Sequence, residues 1–282
     1  MITFRIIGPG RAGRSLSAAL EGREGFELRG ILGRSDPPAG AAHGVDLLVV
    51  ATSDDVVATV ASSVAPCATT VVAHLSGSLG LEVLDGHPRR GSLHPLVPLP
   101  TPEVGCDRLR SGIAFAVSGD PLVAEVVRAL GGTAFAVGDA ERARYHAAAA
   151  IAANHLVALT GQVERVAASV GLPLYAFEAL MLSALDDAIS LGPREALTGP
   201  AARGDRETVG RHRQELAQLP GARQELAAYD AMVDLARRLS HDAATGAGPA
   251  PAGRGEPGRG EPGCGVAPSG LVGVASAEEQ VA

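Results

Sequence analysis

A glycine turn between an apolar run and a helix-like stretch constrains the fold of this chain more than any other feature. Residues 3–7 are a short apolar run that predicts a buried strand, and residues 14–20 follow a helical pattern. Between them, Gly8-Pro9-Gly10-Arg11-Ala12-Gly13 fits the pattern G-x-G-x-x-G. A strand, this turn and a helix, in that order, are the context in which the motif indicates a dinucleotide site. We therefore expect the chain to begin with a dinucleotide-binding α/β domain.

The residues of this turn have separate expected roles. Gly8 permits the tight turn, Gly10 lets the backbone approach a pyrophosphate, and Gly13 lets the helix pack closely on the strand. The helix start, with Arg11 and Ala12, presents free N–H groups and a partial positive charge to the phosphates. The alternative is an ordinary strand-to-helix turn, because glycine is common in this chain.

The end of the second expected strand, residues 26–32, bears on which dinucleotide is bound. An NAD site usually places Asp or Glu there to bind the ribose 2′-hydroxyl. Here the strand is followed by Gly33-Arg34-Ser35, and Asp36 comes too late for that role. A guanidinium and a hydroxyl suit a 2′-phosphate. The sequence thus predicts NADP(H), with Arg34 and Ser35 on the 2′-phosphate; a solvated loop arginine is the alternative.

Composition argues against several other classes of protein. The formal net charge of −7 argues against a nucleic-acid partner. No apolar run approaches the length of a membrane span, and residues 1–7 lack the pattern of a secretory signal. Cys67, Cys106 and Cys264 have no metal-ligand spacing, so we expect neither disulfides nor a metal site, in a cytoplasmic protein.

The chain contains no lysine, so all 24 basic side chains other than histidine are arginines. Lysine is the residue that forms Schiff bases and that completes a P-loop phosphate site. Both kinds of chemistry, and a lysine general acid, are therefore excluded by composition.

The pattern along the chain predicts two domains and a tail. Residues 1–138 alternate short apolar runs with helical patterns, which predicts an α/β Rossmann domain with a doubly wound, mostly parallel sheet. Residues 139–242 predict an all-α second domain that begins with a long alanine-rich helix from Asp139 to about residue 170. Residues 243–282 are dominated by Gly, Pro and Ala and predict a disordered tail. The expected strands are residues 3–7, 26–32, 46–52, 69–73, 113–117 and 133–137, and the later helices are residues 173–191, 206–217 and 222–240.

Polar side chains follow three of the expected strands. His74 and Ser76 follow the strand at 69–73, and His94 comes at the end of another expected strand. Ligands of a doubly wound sheet bind outside the carboxyl ends of its strands, so these side chains should lie near the nicotinamide end of the cofactor. Thr52 and Ser53 should flank the same half of the cofactor, and residues 53–55 should cap the next helix. Two histidines also have structural alternatives, a bond to a backbone carbonyl for His74 and the start of a proline turn for His94.

The long helix carries another polar cluster. His146, Ala150 and Asn154 are spaced by four and should share one helical face. His146 is then a candidate proton donor and Asn154 a candidate substrate ligand. Alternatively, His146 lines a seam between domains and Asn154 bonds to a neighbouring backbone group.

A helix start further along offers a possible anion site. Arg203-Gly204-Asp205 follows the helix-breaking Thr198-Gly199-Pro200. An arginine beside a helix N-terminus can bind an anion, so Arg203 is a candidate for substrate binding. A helix–helix turn capped by Asp205 is the alternative that the spacing favours.

Together these motifs resemble one bacterial family. Its members join a Rossmann-like NADP-binding domain to a C-terminal helical domain of unknown function. The wider group is similar to pyrroline-5-carboxylate reductase, the deazaflavin-dependent NADP oxidoreductases, ketopantoate reductase and the β-hydroxyacid dehydrogenases. The resemblance covers residues 1 to about 240 and implies a nicotinamide cofactor and a homodimer built partly from the helical domain. It is carried by residues 8–13, 51–55 (Ala-Thr-Ser-Asp-Asp), 74–77 (His-Leu-Ser-Gly), 93–96 (Leu-His-Pro-Leu), 145–149 (Tyr-His-Ala-Ala-Ala) and 197–205.

The chain departs from two of these relatives at one position. The β-hydroxyacid dehydrogenases and ketopantoate reductase carry a lysine four residues before an asparagine on the first helix of the second domain. Here that position is Ala150. Two explanations stay open: a histidine (His146, His74 or His94) supplies the proton, or the substrate is an activated imine that needs little acid help.

The sequence therefore predicts an NADPH-dependent oxidoreductase that reduces a small carbonyl or imine compound. The catalytic candidates are His74, Ser76, His94 and His146. A non-catalytic NADP-binding sensor or scaffold is the alternative; the missing lysine favours it and the clustered histidines oppose it. A ketopantoate-type reductase is a third possibility, against which the missing lysine counts.

Overall fold

The computed structural model describes residues 1–245 of the chain. Their contacts form two compact units, of which the first spans Met1–Ala176 and the second begins at Phe177. The sequence places a domain boundary after residue 138, and that assignment stays a prediction. The predicted disordered tail was expected from residue 243, but the last described helix ends at Thr245. The rest of the predicted tail, with Cys264, lies outside the described residues.

The first unit is built on one seven-stranded sheet. The strand order is β2-β1-β3-β4-β5-β6-β7, so the chain crosses from one side of β1 to the other between β2 and β3. In doubly wound sheets ligands bind at such a switch point. The predicted class, an α/β Rossmann domain followed by helices, is confirmed. The strands are Ile2–Ile7 (β1), Phe26–Leu32 (β2), Leu47–Val50 (β3), Val71–His74 (β4), Arg89–Pro95 (β5), Ala114–Gly119 (β6) and Thr133–Ala136 (β7).

One pairing interrupts the parallel sheet. The strands β1 to β5 pair in parallel, whereas β5 and β6 pair antiparallel. Because β7 pairs in parallel with β6, both last strands run opposite to the other five. The reversal places Ser118 opposite Ser92, the residue of β5 that pairs with His74 at the end of β4.

Helices and loops cover both faces of the sheet. Side chains of successive residues in a strand point to opposite faces, and β3 shows this, since Leu47 and Val49 belong to one core cluster and Leu48 and Val50 to the other. All residues of β3 and β4 are buried, as expected for strands covered on both faces. The first cluster includes side chains of α1 (Arg11–Leu20), α3 (Pro102–Leu109) and α4 (Leu122–Ala129), and the second those of α2 (Asp54–Ser62).

Four strands end along one edge of the sheet. Ile7 of β1 pairs with Val50 of β3, Val50 with His74 of β4, and His74 with Ser92 of β5. With neighbouring strands about 4.8 Å apart, three steps make this row about 14 Å long. The loops after these strands therefore leave the sheet side by side, and we call this border the carboxyl edge.

The predicted long helix is interrupted. A 3₁₀ turn, Asp139–Glu141, leads into α5 (Arg142–Ala150), a π-helical segment (Ile151–His155) and α6 (Leu156–Ser169). The expectation of one uniform α-helix is wrong over the π segment, where hydrogen bonds span five residues instead of four. A spacing of four therefore does not carry one helical face through to Asn154.

The second unit is helical. Asp205 caps α9 by accepting a hydrogen bond from Thr208 N at 3.0 Å, as the turn alternative predicts. Among the described helices, none is by itself long and apolar enough to cross a membrane, although one bent pair (residues 139–169 and 174–190) reaches that length and composition jointly. The helices are α7 (Glu178–Ser190), α8 (Pro193–Ala196), α9 (Arg206–Leu216) and α10 (Ala222–Thr245), with a 3₁₀ turn (Leu174–Phe177) leading into α7.

Candidate active site

The glycine turn after β1 leaves space where a phosphate is expected. Gly8 has φ +113°, and a Cβ there would lie 2.7 Å from the Ala51 carbonyl oxygen. A Cβ on Gly13 would overlap the Gly8 carbonyl oxygen, whereas one on Gly10 would meet nothing within 4 Å. Gly10 is also the N-cap of α1, with no side-chain hydrogen bond. The open space beside uncapped backbone N–H groups fits the pyrophosphate of a dinucleotide.

The turn after β2 exposes Arg34 and Ser35. Gly33 N donates to Asp36 Oδ2 at 2.7 Å, and Asp36 N donates to the Gly33 carbonyl oxygen at 3.3 Å. The carboxylate of Asp36 is therefore folded back into its own turn. Asp36 is exposed as well, but one of its oxygens is engaged in the turn, so the Arg34 guanidinium and the Ser35 hydroxyl are the exposed groups suited to an anion.

The loop after β3 differs from its expected capping pattern. Ser53 is the N-cap of α2, but its side chain makes no capping hydrogen bond. The Asp54 carboxylate instead accepts hydrogen bonds from Ser76 Oγ at 2.8 Å and Ser78 Oγ at 2.7 Å. Thr52 Oγ1 is buried and has no hydrogen-bond partner within the described part of the chain. Because buried hydroxyls are normally paired, Thr52 fits a site that a bound polar group completes.

The first predicted proton donors are held inside the fold. His74 ends β4 with 0% exposure, and its Nε2 is 3.2 Å from the Gly80 carbonyl oxygen. Ser76 Oγ accepts from the N–H groups of Ser78 and Leu79, each at 3.2 Å, while it donates to Asp54. These bonds describe a braced loop after β4, and neither side chain is open to a substrate.

The other two histidines form a cluster with a tyrosine. His94 Nδ1 lies 2.6 Å from Tyr145 Oη. The His94 ring meets the Tyr145 ring edge to face at 5.7 Å and the His146 ring at 6.0 Å. A Cβ on Gly77 would lie 2.8 Å from both Cε1 and Nε2 of His94, and 2.8 Å from the His146 ring. Gly77 therefore brings the loop after β4 directly against both imidazoles, and we call these four residues the histidine cluster.

Burial controls the charge state of this cluster. Desolvation lowers the pKa of His94 to about 4, and the neighbouring His146 and Arg142 add to the shift. Desolvation likewise raises the pKa of Tyr145 above its usual value. At neutral pH the hydrogen bond thus joins an uncharged phenol and an uncharged imidazole.

A buried arginine lies behind the cluster. Arg142, the first residue of α5, is 1% exposed and donates to Ser118 Oγ at 2.8 Å, to Ser92 Oγ and to the Ser76 carbonyl oxygen at 3.3 Å. It therefore joins α5 to β5, β6 and the loop after β4. Desolvation lowers the pKa of Arg142, and its positive charge lowers the pKa of both His74 and His94.

The two predicted substrate ligands are exposed side chains. Asn154 lies in the π segment, and Arg203 lies in the loop before α9 in the second unit. A groove of about 460 Å³ lies instead beside the histidine cluster, where Tyr145, Arg144 and Glu141 line it together with the end of β7.

Sequence reasoning missed four residues of this site. Tyr145 and Gly77 lie inside motifs that were recognised, but nothing in the motifs showed that they meet His94. Asp54 was expected only as a capping residue. Arg142 gave no signal, because one arginine in an alanine- and arginine-rich helix looks like a solvated side chain.

Comparison with known proteins supports this fold. Residues 113–236 match the model of a domain of unknown function (DUF2520). Among curated proteins, none matches the chain in sequence. The family match covers the last two strands of the sheet and most of the helical region.

Solved structures resemble almost the whole described chain. Protein TM1727 from Thermotoga maritima is 23% identical, with a TM-score of 0.66, over 86% of this chain and 99% of that one. A protein described as an NADP oxidoreductase from Bacteroides fragilis is 17% identical, with a TM-score of 0.68, over 84% and 98%. Pyrroline carboxylate reductase from Plasmodium falciparum, solved with NADP bound, is 13% identical, with a TM-score of 0.55, over 85% and 98%. The chain thus has the Rossmann-like fold of NADP oxidoreductases and pyrroline carboxylate reductases, as the sequence motifs predicted.

Proposed function

We propose that this protein is an NADPH-dependent reductase of a small carbonyl or imine compound. One observation carries the proposal: the open space at Gly10, after β1, and the histidine cluster, at the ends of β4 and β5, lie along the same carboxyl edge. A dinucleotide bound at the switch point between β1 and β3 extends along such an edge. The redox-active end of such a cofactor would then lie toward the cluster.

The cofactor would be held by the turn and by four side chains beyond it. Residues Gly8, Gly10, Arg11, Ala12 and Gly13 would hold the pyrophosphate, and Arg34 and Ser35 the 2′-phosphate. Thr52 and Ser53 would border the nicotinamide half, where the buried Thr52 hydroxyl needs a partner. When bound, NADPH supplies the hydride, and the protein supplies position and electrostatics.

The histidine cluster would polarise the substrate. An uncharged imidazole can donate a hydrogen bond to a carbonyl oxygen or an imine nitrogen, which is how triosephosphate isomerase uses a neutral histidine. His94 is held uncharged by burial, and His146 lies beside it on the more open helix. His74 is not carried forward as a proton donor, because its ring is buried and bonded to Gly80.

The helical region would form a homodimer. Val157 on α6 is 72% exposed and Leu180 on α7 is 65% exposed, and each has several large apolar neighbours that are also exposed. Apolar surface of this kind on a folded protein marks an interaction site. A second copy of this chain, in the cytoplasm, is the partner that the family resemblance implies.

Calorimetric titration with NADPH and NADH tests the cofactor assignment. Replacing Arg34 with Asp should weaken NADPH binding by about 10-fold to 100-fold, since it removes a charge-assisted bond and adds a like charge. NADH, which lacks the 2′-phosphate, should bind almost unchanged. The matched control is Arg29→Asp, the same charge change on the exposed side of β2. Equal losses for both cofactors would overturn the assignment of Arg34.

A non-catalytic NADP sensor or scaffold is the second candidate. Ala150 at the position of the relatives' lysine favours it. Turnover separates the two candidates: consumption of NADPH with any keto acid or cyclic imine, lost in His146→Ala while NADPH binding persists, supports the reductase. Tight binding of NADPH without turnover of either class supports the sensor.

A further inference from the structure

The described chain contains two tyrosine–histidine pairs of nearly equal geometry. In the first unit, Tyr145 Oη lies 2.6 Å from His94 Nδ1, with ring centroids 5.7 Å apart at 87°. In the second unit, Tyr229 Oη lies 2.8 Å from His212 Nδ1, with centroids 5.9 Å apart at 81°. Only the first pair belongs to the histidine cluster, so the second is a built-in control for it.

The direction of the first hydrogen bond follows from what each group can donate. A neutral imidazole has one N–H and one bare nitrogen, whereas a phenol always carries a proton below its pKa. Within the described part of the chain, the structure shows no other acceptor for the Tyr145 hydroxyl. A phenol hydroxyl is a strong donor and a weak acceptor, whereas a bare imidazole nitrogen is a strong acceptor, so the pair is more stable when the hydroxyl donates to Nδ1. The hydroxyl therefore donates, and Nδ1 is the bare nitrogen.

We propose that Tyr145 is a positioning residue, which fixes the proton of the His94 ring on Nε2 and aims that N–H at the face shared with Gly77 and His146. The effect of Tyr145 on catalysis rests on the proposed reductase function, whereas its effect on the tautomer of the His94 ring does not. Gly77 has a matching role, because a Cβ there would lie 2.8 Å from Nε2, too close for the ring to keep its place.

This arrangement prepares the ring for its task before substrate binds. The tautomer with Nε2–H offers a donor to a carbonyl oxygen or imine nitrogen at the carboxyl edge. The opposite tautomer would present a bare nitrogen there and repel the substrate's lone pair. Fixing the correct tautomer of a catalytic histidine through its other nitrogen is the role of the third residue in a serine-protease triad.

Nitrogen NMR of the ¹⁵N-labelled full-length protein at pH 7.5 tests the proposal without any substrate. A protonated and a bare ring nitrogen give well-separated signals, and His94→Gln identifies the ring. We expect the wild-type His94 ring to be protonated on Nε2. In Tyr145→Phe the Nδ1 acceptor loses its donor, so the ring should shift toward a mixture of both tautomers. A wild-type ring protonated on Nδ1, or a ring unchanged in Tyr145→Phe, would overturn the proposal.

Kinetics then separates positioning from a merely structural role. With 1-pyrroline and pyruvate as probes, Tyr145→Phe should lower kcat about tenfold, the size of one hydrogen bond, and leave the KM for NADPH unchanged. Tyr229→Phe should shift only the His212 ring and leave kcat unchanged. If the wild-type protein turns over neither probe while the His94 ring behaves as expected, the positioning stands and the proposed function loses its support.

Discussion

The carboxyl edge of the sheet and the helices that follow β7 differ in how their side chains are used. At the edge, polar groups such as His74 and Arg142 are buried and bound to backbone and side-chain atoms. On α6 and α7, large apolar side chains such as Val157 and Leu180 face outward. The edge strand β7 resembles the helices, since Phe135 is 54% exposed.

This is the reverse of the usual distribution, in which apolar side chains are buried and polar side chains are exposed. The two regions depart from that distribution for separate reasons. Buried polar groups are costly unless paired, so their presence at the edge marks a site that must be held rigid. Exposed apolar side chains allow a single copy of the chain to stay folded but favour its association with a partner. We therefore expect substitutions at the edge to change folding, and substitutions on the helices to change assembly.

The largest effect is expected for Arg142→Met. The guanidinium makes three hydrogen bonds, and its loss leaves the buried Ser76 carbonyl oxygen short of a donor and removes one from the Ser92 and Ser118 hydroxyls, which still bond to each other at 2.9 Å. Removing a buried charge recovers part of its desolvation cost, so the net loss in the free energy of unfolding should be about 3 kcal/mol. Urea unfolding of Arg142→Met beside the exposed neighbour Arg144→Met, expected within about 0.5 kcal/mol of wild type, measures it. A stable Arg142→Met protein would mean that desolvation cancels the hydrogen bonds.

Acid should destabilise the edge through two histidines, each by a smaller amount than the loss of Arg142. Desolvation on burial is the main cause that lowers the pKa of His74 and of His94 from 6.5 to about 4. Between these values the unfolded chain binds more protons than the folded one, so stability is complete above pH 6.5 and falls as the pH falls toward 4. From pH 7 to pH 5 each histidine should cost about 2 kcal/mol of unfolding free energy.

Urea unfolding at pH 5, 6 and 7 checks this window. The variant His94→Gln should show a shallower dependence on pH than the wild-type protein. Arg142→Met should do so as well, because the guanidinium lowers the pKa of both rings. A pH dependence unchanged in His94→Gln would show that this ring is not responsible.

The smallest effect on folding is expected on the helices. Val157→Ser should leave the unfolding free energy of the monomer within about 0.5 kcal/mol, because the side chain is already exposed. It should nevertheless raise the dissociation constant of the proposed homodimer about tenfold, through the apolar contact that is lost. Sedimentation of Val157→Ser beside Val56→Ser, a matched change on α2, measures the difference. Equal sedimentation of both variants and the wild-type protein would remove α6 from the interface.

The sequence was most informative where structure depends on neighbouring residues. The turn at Gly8–Gly13, the strand β2 and the cap at Asp205 each follow from side chains within a few positions of one another. The motif also placed His94 at the end of a strand, and the structure confirms that position on β5. Local sterics and hydrogen bonding decide such features, so a single sequence is enough.

Features that depend on distant residues could not be predicted. The antiparallel β5–β6 pairing is decided by how the segment with α3 returns to the sheet, and it brings Ser118 to Ser92. The burial of Arg142 depends on that pairing, because two of its acceptors are these serines. The pair of His94 and Tyr145 joins residues 51 positions apart. No periodicity or spacing in the sequence indicates that these residues are in contact.

The π segment Ile151–His155 is a point in the helix where the chain can gain or lose one residue. Its hydrogen-bonded turn contains one residue more than an α turn, so deleting one residue there would restore a continuous α-helix without leaving a gap. Because the wide turn absorbs the extra residue, the same deletion would leave α6 facing nearly the same way relative to α5 and His146, whereas a deletion within α6 itself would rotate the residues after it by about 100°. Gain or loss of a single residue within the π segment is therefore a change of length that a related chain could undergo while the outward face of α6 and the histidine cluster both keep their orientation.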